Sequence, residues 1–123
     1  EVSYIHSESY AAGELKHGTI SLIDEEMPVI SVATQTDVIP KTISNIVEVK
    51  SRGAKIILVC TDACARELKD GVADYVVEIP HTEELLMPIT AVVPLQLLAY
   101  YTSINRGNDP DKPRNLAKSV TVE

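Results

Sequence analysis

Three short apolar runs constrain the fold of this chain most: Pro28-Val29-Ile30-Ser31-Val32-Ala33, Lys55-Ile56-Ile57-Leu58-Val59-Cys60 and Tyr75-Val76-Val77-Glu78-Ile79. Each has the length of a strand rather than of a helix, and near-continuous apolar character is the mark of a buried strand. Pro28 opens the first run and Pro80 closes the third. Between the first two, residues 37–52 place Val38/Ile39, Ile43, Ile46/Val47 and Val49 at helical spacing. Thr36 is the expected N-cap, Pro40 sits in the first turn where a missing N–H is tolerated, and Gly53 supplies the stop. Residues 62–70 read as a short helix or loop, and 83–105 as a long helix containing Pro88 and Pro94. Strand–helix–strand alternation of this kind predicts an α/β fold on a parallel sheet. Upstream, residues 1–12 read as a helix with Ile5, Ser9 and Ala12 on one face. Gly13 breaks it, a turn follows over Glu14-Leu15-Lys16-His17-Gly18, and then comes Thr19 to Ile23.

Three strands are few for a parallel sheet covered on both faces, and the chain opens on a helical pattern without a cap or a Met. An N-terminal strand and half a helix are therefore expected to lie outside it. The 123 residues are enough for one domain, and the hydrophobic and charged fractions, 45% and 24%, are ordinary for a soluble protein. A net charge of -7 with no basic stripe argues against nucleic acid and against an anionic membrane surface. There are five Tyr and no Phe or Trp, so the core must be built from Val, Ile, Leu and Ala. Cys60 and Cys64 form a C-x3-C pair with no second Cys/His cluster. That is neither a zinc pattern nor the C-x-x-C redox motif, and buried small thiols in a reducing cytosol are expected. Leu85 to Tyr101 rivals a membrane span in composition, but Pro88, Pro94, Thr90 and Gln96 favour a core helix.

The C-terminal end is unusual in composition. After the loop Gly107-Asn108-Asp109-Pro110-Asp111-Lys112, the chain closes on Leu116, Ala117, Val120 and Val122 around one lysine, Lys118. Chain ends are ordinarily polar and frayed. Composition leaves two readings open, a tail packed down to present Lys118 or a solvated end with a solvated lysine.

The string Asp109-x-Asp111-x-Pro113-Arg114-Asn115-Leu116-Ala117-Lys118-Ser119-Val120-Thr121-Val122-Glu123 resembles the extreme C-terminus of the glucosamine-6-phosphate synthase family, the isomerizing glutamine–fructose-6-phosphate aminotransferases. The similarity extends to Ser3-Tyr4-Ile5-His6, Ala11-Ala12-Gly13-Glu14-Leu15-Lys16-His17-Gly18, Ser44-Asn45, Glu48-Val49, Arg52-Gly53 and Pro94-Leu95-Gln96-Leu97-Leu98-Ala99-Tyr100. Thr19 stands where the family usually has proline.

The resemblance implies the second sugar isomerase (SIS) subdomain of that family's isomerase module. Its fold is a three-layer, flavodoxin-like α/β/α sandwich with a parallel sheet, here truncated at the N-terminus. Residues 1–106 would form the partial SIS subdomain and 107–123 the tail.

The implied reaction makes glucosamine 6-phosphate from fructose 6-phosphate and glutamine-derived ammonia, in the cytoplasm, in a homodimer, with no metal or organic cofactor. Lys118 matches the lysine that forms a Schiff base with the open ketose, and Ala117 would give a backbone contact to the sugar. His17 matches the histidine of ring opening, which reaches the neighbouring subunit's site. Glu1 matches the carboxylate that moves a proton between C1 and C2. A free lysine titrates near ~10.4, so apolar wrapping would favour the neutral nucleophile. His6, Glu14 and Lys16 are expected to be structural, and Asp109, Asp111 and Arg114 to anchor the tail.

The family's sugar-phosphate loop lies in the first SIS subdomain and its glutaminase in a further domain, both outside these residues, so the chain alone is expected to be inactive. The alternative is a non-catalytic sugar-phosphate-binding SIS module that regulates. A related isomerase or deglycase would lack the Pro113–Glu123 ending, and a generic flavodoxin-like domain would need a phosphate loop.

Overall fold

The computed structural model describes residues 1–114. Strands β1 (Pro28–Ala33), β2 (Lys55–Thr61) and β3 (Tyr75–Ile79) form one parallel sheet in the order β1-β2-β3. Pro28 pairs with Lys55 and Ala33 with Cys60 across β1 and β2. Ile57 pairs with Tyr75 and Thr61 with Ile79 across β2 and β3. Pro28 lacks a ladder donor and is accommodated because it opens an edge strand.

The crossover from β1 to β2 is α1 (Ile39–Lys50). Thr36 does not cap it. Thr36–Val38 instead form one 3-10 turn, and α1 begins at Ile39 with Val38 at the cap and no side-chain bond there. Pro40 occupies the second helical position, where its missing N–H has no intrahelical partner to lose. After α1 the chain turns at Gly53 (φ 100°) and enters β2. A second helix, α2 (Asp62–Glu67), follows β2 directly. Thr61, the last residue of the strand, caps it by accepting the Cys64 N–H at 3.4 Å.

The main core cluster lies on one face of the sheet. Ile56, Leu58 and Cys60 of β2 pack with Ala33, with Ile39, Ile46 and Val49 of α1, and with Ala54, Cys64 and Val72. Full burial of each large aliphatic side chain is worth about 1.5–3 kcal/mol. Cys60 and Cys64 are both free thiols inside this cluster. β2 is buried almost throughout, as its apolar run predicts.

The other two strands depart from that expectation. β1 alternates, with Ile30 and Val32 exposed, and in β3 only Ile79 is buried. Parallel strands read as continuous apolar runs when both faces are covered. Here α1 covers one face over β1 and β2 but leaves Val76 of β3 exposed, while on the other face Val59 and Ile79 are buried and Ile30, Val32, Tyr75 and Val77 stay open to solvent.

Two compact units divide the chain: Ser9–Val92, which carries the sheet, and Glu1–Glu8 with the segment from Val93 onward. Helix α3 (Met87–Asn105) begins in the first and ends in the second. The span Glu84–Asn105 is long and apolar enough to cross a membrane by length and composition alone. Its two prolines, Thr90 and Gln96 favour a core helix, yet along its length only Met87, Ala91 and Ser103 are buried, and Leu85 just ahead of it is 89% exposed. An apolar stripe all round a helix seeks cover on more than one side, and the described residues supply cover for a few of its positions.

The helix expected over residues 1–12 does not form. Residues 1–10 hold one turn, closed by the Tyr4 N–H donating to the Glu1 carbonyl at 3.2 Å, and Tyr4 has φ 52°. Helix nucleation is costly, and Ser3, Ser7 and Ser9 compete for the backbone. Contacts within this unit then decide the path. The buried Ser103 hydroxyl donates to the Val2 carbonyl at 2.8 Å, and the Tyr4 hydroxyl accepts a bond from Arg114.

Candidate functional site

His17 ends a four-residue 3-10 turn, Glu14–His17, and a second such turn, Thr19–Leu22, follows at once. Gly18 joins them at φ 143°, a conformation that side chains with a Cβ rarely adopt. Its carbonyl accepts both the Ser21 N–H (3.0 Å) and the Ser21 hydroxyl (2.7 Å). Thr19 opens the second turn without strain, so the family's proline is not required for this geometry.

No residue of the first turn is buried, but Leu15 before His17 and Ile20 and Ile23 after it pack against the core cluster. His17 itself is exposed. Next to it, the Lys16 ammonium lies 2.8 Å from the Glu48 carboxylate on α1. Arg52, in the turn just after α1, reaches the same carboxylate at 3.5 Å and donates to the Glu48 carbonyl at 2.9 Å. The Lys16 hydrogen bond, with Arg52 nearby, holds the Glu48 carboxyl below its ordinary range.

Glu1, exposed, belongs to the other unit. There α3 ends on a glycine turn: Gly107 (φ 74°) donates to the Ile104 carbonyl at 2.8 Å and Asn108 to Ser103 at 3.0 Å. The loop then folds on Asp109, whose carboxylate accepts the Asp111 N–H at 2.9 Å. Asp109 thus shapes a local turn. Arg114 is the anchor, with its backbone N–H on the Tyr4 hydroxyl at 2.6 Å and its guanidinium 4.0 Å from the ring centre. That hydrogen bond lowers the Tyr4 phenol pKa. Arg114 at the root of the C-terminal tail and Glu1, three residues before Tyr4, belong to this one unit. Glu1 and His17 fall in separate units, and Lys118 and Ala117 lie outside the described residues.

Sequence reasoning missed the Lys16–Glu48–Arg52 group, and its only signal was the i, i+4 pair Glu48/Arg52. Among the described residues no three His, Cys, Asp or Glu side chains come together as a metal site. A shallow cavity of about 140 Å³ opens beyond the carboxyl end of β1, with Thr34, Gln35, Thr42 and Glu84 in its wall. Ligands of α/β sheets favour such places. This one offers two hydroxyls and an amide but no cation, and its carboxylate would repel a phosphate.

The model of the SIS domain family matches residues 1–106. The glutamine–fructose-6-phosphate aminotransferase (isomerizing) of Clostridium perfringens is 54% identical over all 123 residues, which cover 20% of that protein. The enzyme of the same name from Thermococcus kodakarensis is also 54% identical over the full chain, again 20% of its own length. Among solved structures, the C-terminal domain of glucosamine-fructose-6-phosphate aminotransferase from Francisella tularensis superposes with a TM-score of 0.82 at 38% identity, over 88% of this chain and 30% of that one. The chain therefore spans about a fifth of the length of the curated relatives it matches.

Proposed function

The chain belongs to the SIS domain family, and from that premise we propose that it is the C-terminal part of the isomerase module of an isomerizing glutamine–fructose-6-phosphate aminotransferase. The observation that carries this reading is the reach of the similarity. More than half of the residues are shared with enzymes of that name across the whole chain, so the match spans Glu1, His17 and Lys118 alike.

The chemistry follows from what those groups can do. His17, exposed on a loop between glycines, moves a proton at the ring oxygen of fructose 6-phosphate and opens the sugar. The neutral Lys118 amine adds to the C2 carbonyl and expels water, giving an imine that is a better electrophile than the ketone. Ammonia then takes the place of the lysine nitrogen. Glu1 removes a proton from C1 and returns one to C2, which turns the ketose imine into the aldose amine, glucosamine 6-phosphate. The lysine does the carbonyl chemistry, so no cofactor is called for. Ala117 adds a backbone contact to the sugar.

The remaining four fifths of the protein would supply the glutaminase and the first SIS subdomain with its phosphate loop. The cationless cavity at β1 and the open apolar positions on α3 and the sheet fit a partial module that leans on such neighbours. The working unit is a cytoplasmic homodimer in which His17 reaches the other subunit's site, and the 123-residue chain by itself is inactive.

The test is an assay of the full-length protein with glutamine and fructose 6-phosphate. Glucosamine 6-phosphate formed in step with glutamate supports the reading. Glutamine hydrolysis with no amino sugar, or sugar binding without turnover, would replace it with a non-catalytic SIS module.

A further inference from the structure

We propose that Glu48 is a positioning residue for His17, acting through Lys16. The inference rests on the role of His17 proposed above.

The 3-10 turn that carries His17 is hinged by Gly13 on one side and by Gly18, at φ 143°, on the other. Glycine hinges leave such a segment free to swing unless something outside it holds it. Two side chains of the turn reach the body of the domain. Leu15 packs on the core cluster, and Lys16 pairs with Glu48 at 2.8 Å. A single apolar contact fixes depth but not rotation. The directional ion pair at the residue adjoining His17 supplies the second point of attachment.

Glu48 is suited to this task. Its carboxylate is already oriented by Arg52, in the turn that follows α1, whose guanidinium lies 3.5 Å from it and donates to the Glu48 carbonyl at 2.9 Å. A partner held in place beforehand loses less side-chain freedom on pairing than an isolated surface ion pair does. Helix α1 is in turn fixed to the sheet by the buried Ile39, Ile46 and Val49. The chain of contacts therefore runs from the core through α1, Glu48 and Lys16 to the backbone of His17. Small displacements of a proton-transfer group weaken catalysis out of proportion to their effect on stability.

The experiment uses the full-length protein with Glu48→Gln, Lys16→Met, the double variant, and the reversed pair Lys16→Glu/Glu48→Lys. Hydrogen exchange of residues 14–18 is followed by mass spectrometry. The kcat and KM for fructose 6-phosphate are measured beside glutaminase activity. Each single variant is expected to speed exchange in 14–18 and to lower the sugar kcat roughly fivefold, with KM and glutaminase activity little changed. The double variant should be no worse than either single one, and the reversed pair should recover most of the loss. A merely structural role would lower both activities together.

Unchanged exchange and unchanged sugar kcat, in a protein where His17→Ala abolishes sugar product, would overturn the inference while leaving the role of His17 intact. Full sugar activity in His17→Ala would overturn the role of His17 itself, and the positioning of that residue for this reaction with it. That variant leaves the ion pair untouched, so the two failures are distinguishable.

Discussion

Arg114 lays its guanidinium 4.0 Å from the centre of the Tyr4 ring and gives its backbone N–H to the Tyr4 hydroxyl at 2.6 Å. The pairing fastens the root of the C-terminal tail to the segment that begins at Glu1. Tyr4→Phe removes the acceptor and keeps the ring, whereas Tyr4→Ala removes both. Trypsin should therefore cut after Arg114 severalfold faster in Tyr4→Ala than in Tyr4→Phe, and Arg114→Lys, which loses the planar stacking group, should lower amino-sugar formation in the full-length protein. Cleavage at the parent's rate in both tyrosine variants would show that the contact does not hold the tail root.

Gly53 is the most constrained glycine of the fold. At φ 100°, a Cβ there would come within 2.7 Å of the Glu25 side chain and 3.3 Å of its backbone. Gly53→Ala is expected to destabilise the protein by about 1–2 kcal/mol, from the left-handed backbone and the backbone crowding together. Thermal unfolding checks this. Gly71→Ala serves as a comparison with the strain but no neighbour within 4 Å, and should cost less.

Acid sensitivity should centre on Asp74. Its carboxylate accepts the Ile56 N–H at 2.7 Å, the larger cause of its lowered pKa, and pairs with Lys50 at 2.9 Å. A carboxyl with a depressed folded pKa contributes stability above its unfolded value and loses it as pH falls through the lower folded value. Asp74→Asn should thus be less stable than the parent at neutral pH, with the two curves converging below the ordinary carboxylate range. Parallel curves throughout would show that Asp74 is not linked to folding.

The two thiols should be silent in the native state. Burial is the main force that pushes Cys60 up to about 12, and it also raises Cys64. A thiol with a raised folded pKa favours the folded state below its unfolded value and gives up that advantage as pH rises toward the folded one. Thiol reagents at mildly alkaline pH should label neither residue until denaturant is added, and stability should fall on the alkaline side. Prompt labelling of the native protein would mean that the core opens at the junction of β2 and α2.

What was legible in the sequence follows the physics of each element. The three strands were readable because a continuous run of Val, Ile and Leu has few other solutions, and their bounds match the structure to within a residue. Helix α1 was readable from its spacing and from Pro40, but its start was not, because Thr36 entered a 3-10 turn instead of capping. The helix expected at residues 1–12 failed because Ser103 and Arg114, distant in sequence, take the Val2 carbonyl and the Tyr4 hydroxyl. Exposure of Ile30 and Val32 was hidden because an apolar run does not say which face the rest of the chain covers. His17 and Glu1 stood out by resemblance to a family, whereas the Lys16–Glu48 contact joins a loop to a helix that no local pattern connects.

If Lys118 bonds to the sugar as proposed, borohydride should trap the bond there. The full-length protein is mixed with fructose 6-phosphate and reduced, and its peptides are weighed. An imine at Lys118 would be reduced to a stable secondary amine. The expected result is a hexose-phosphate adduct on Lys118, no adduct in Lys118→Ala, and in that variant loss of glucosamine 6-phosphate with glutamine hydrolysis retained. A wild-type protein that forms amino sugar yet is never trapped at Lys118, together with a Lys118→Ala variant of undiminished activity, would contradict it.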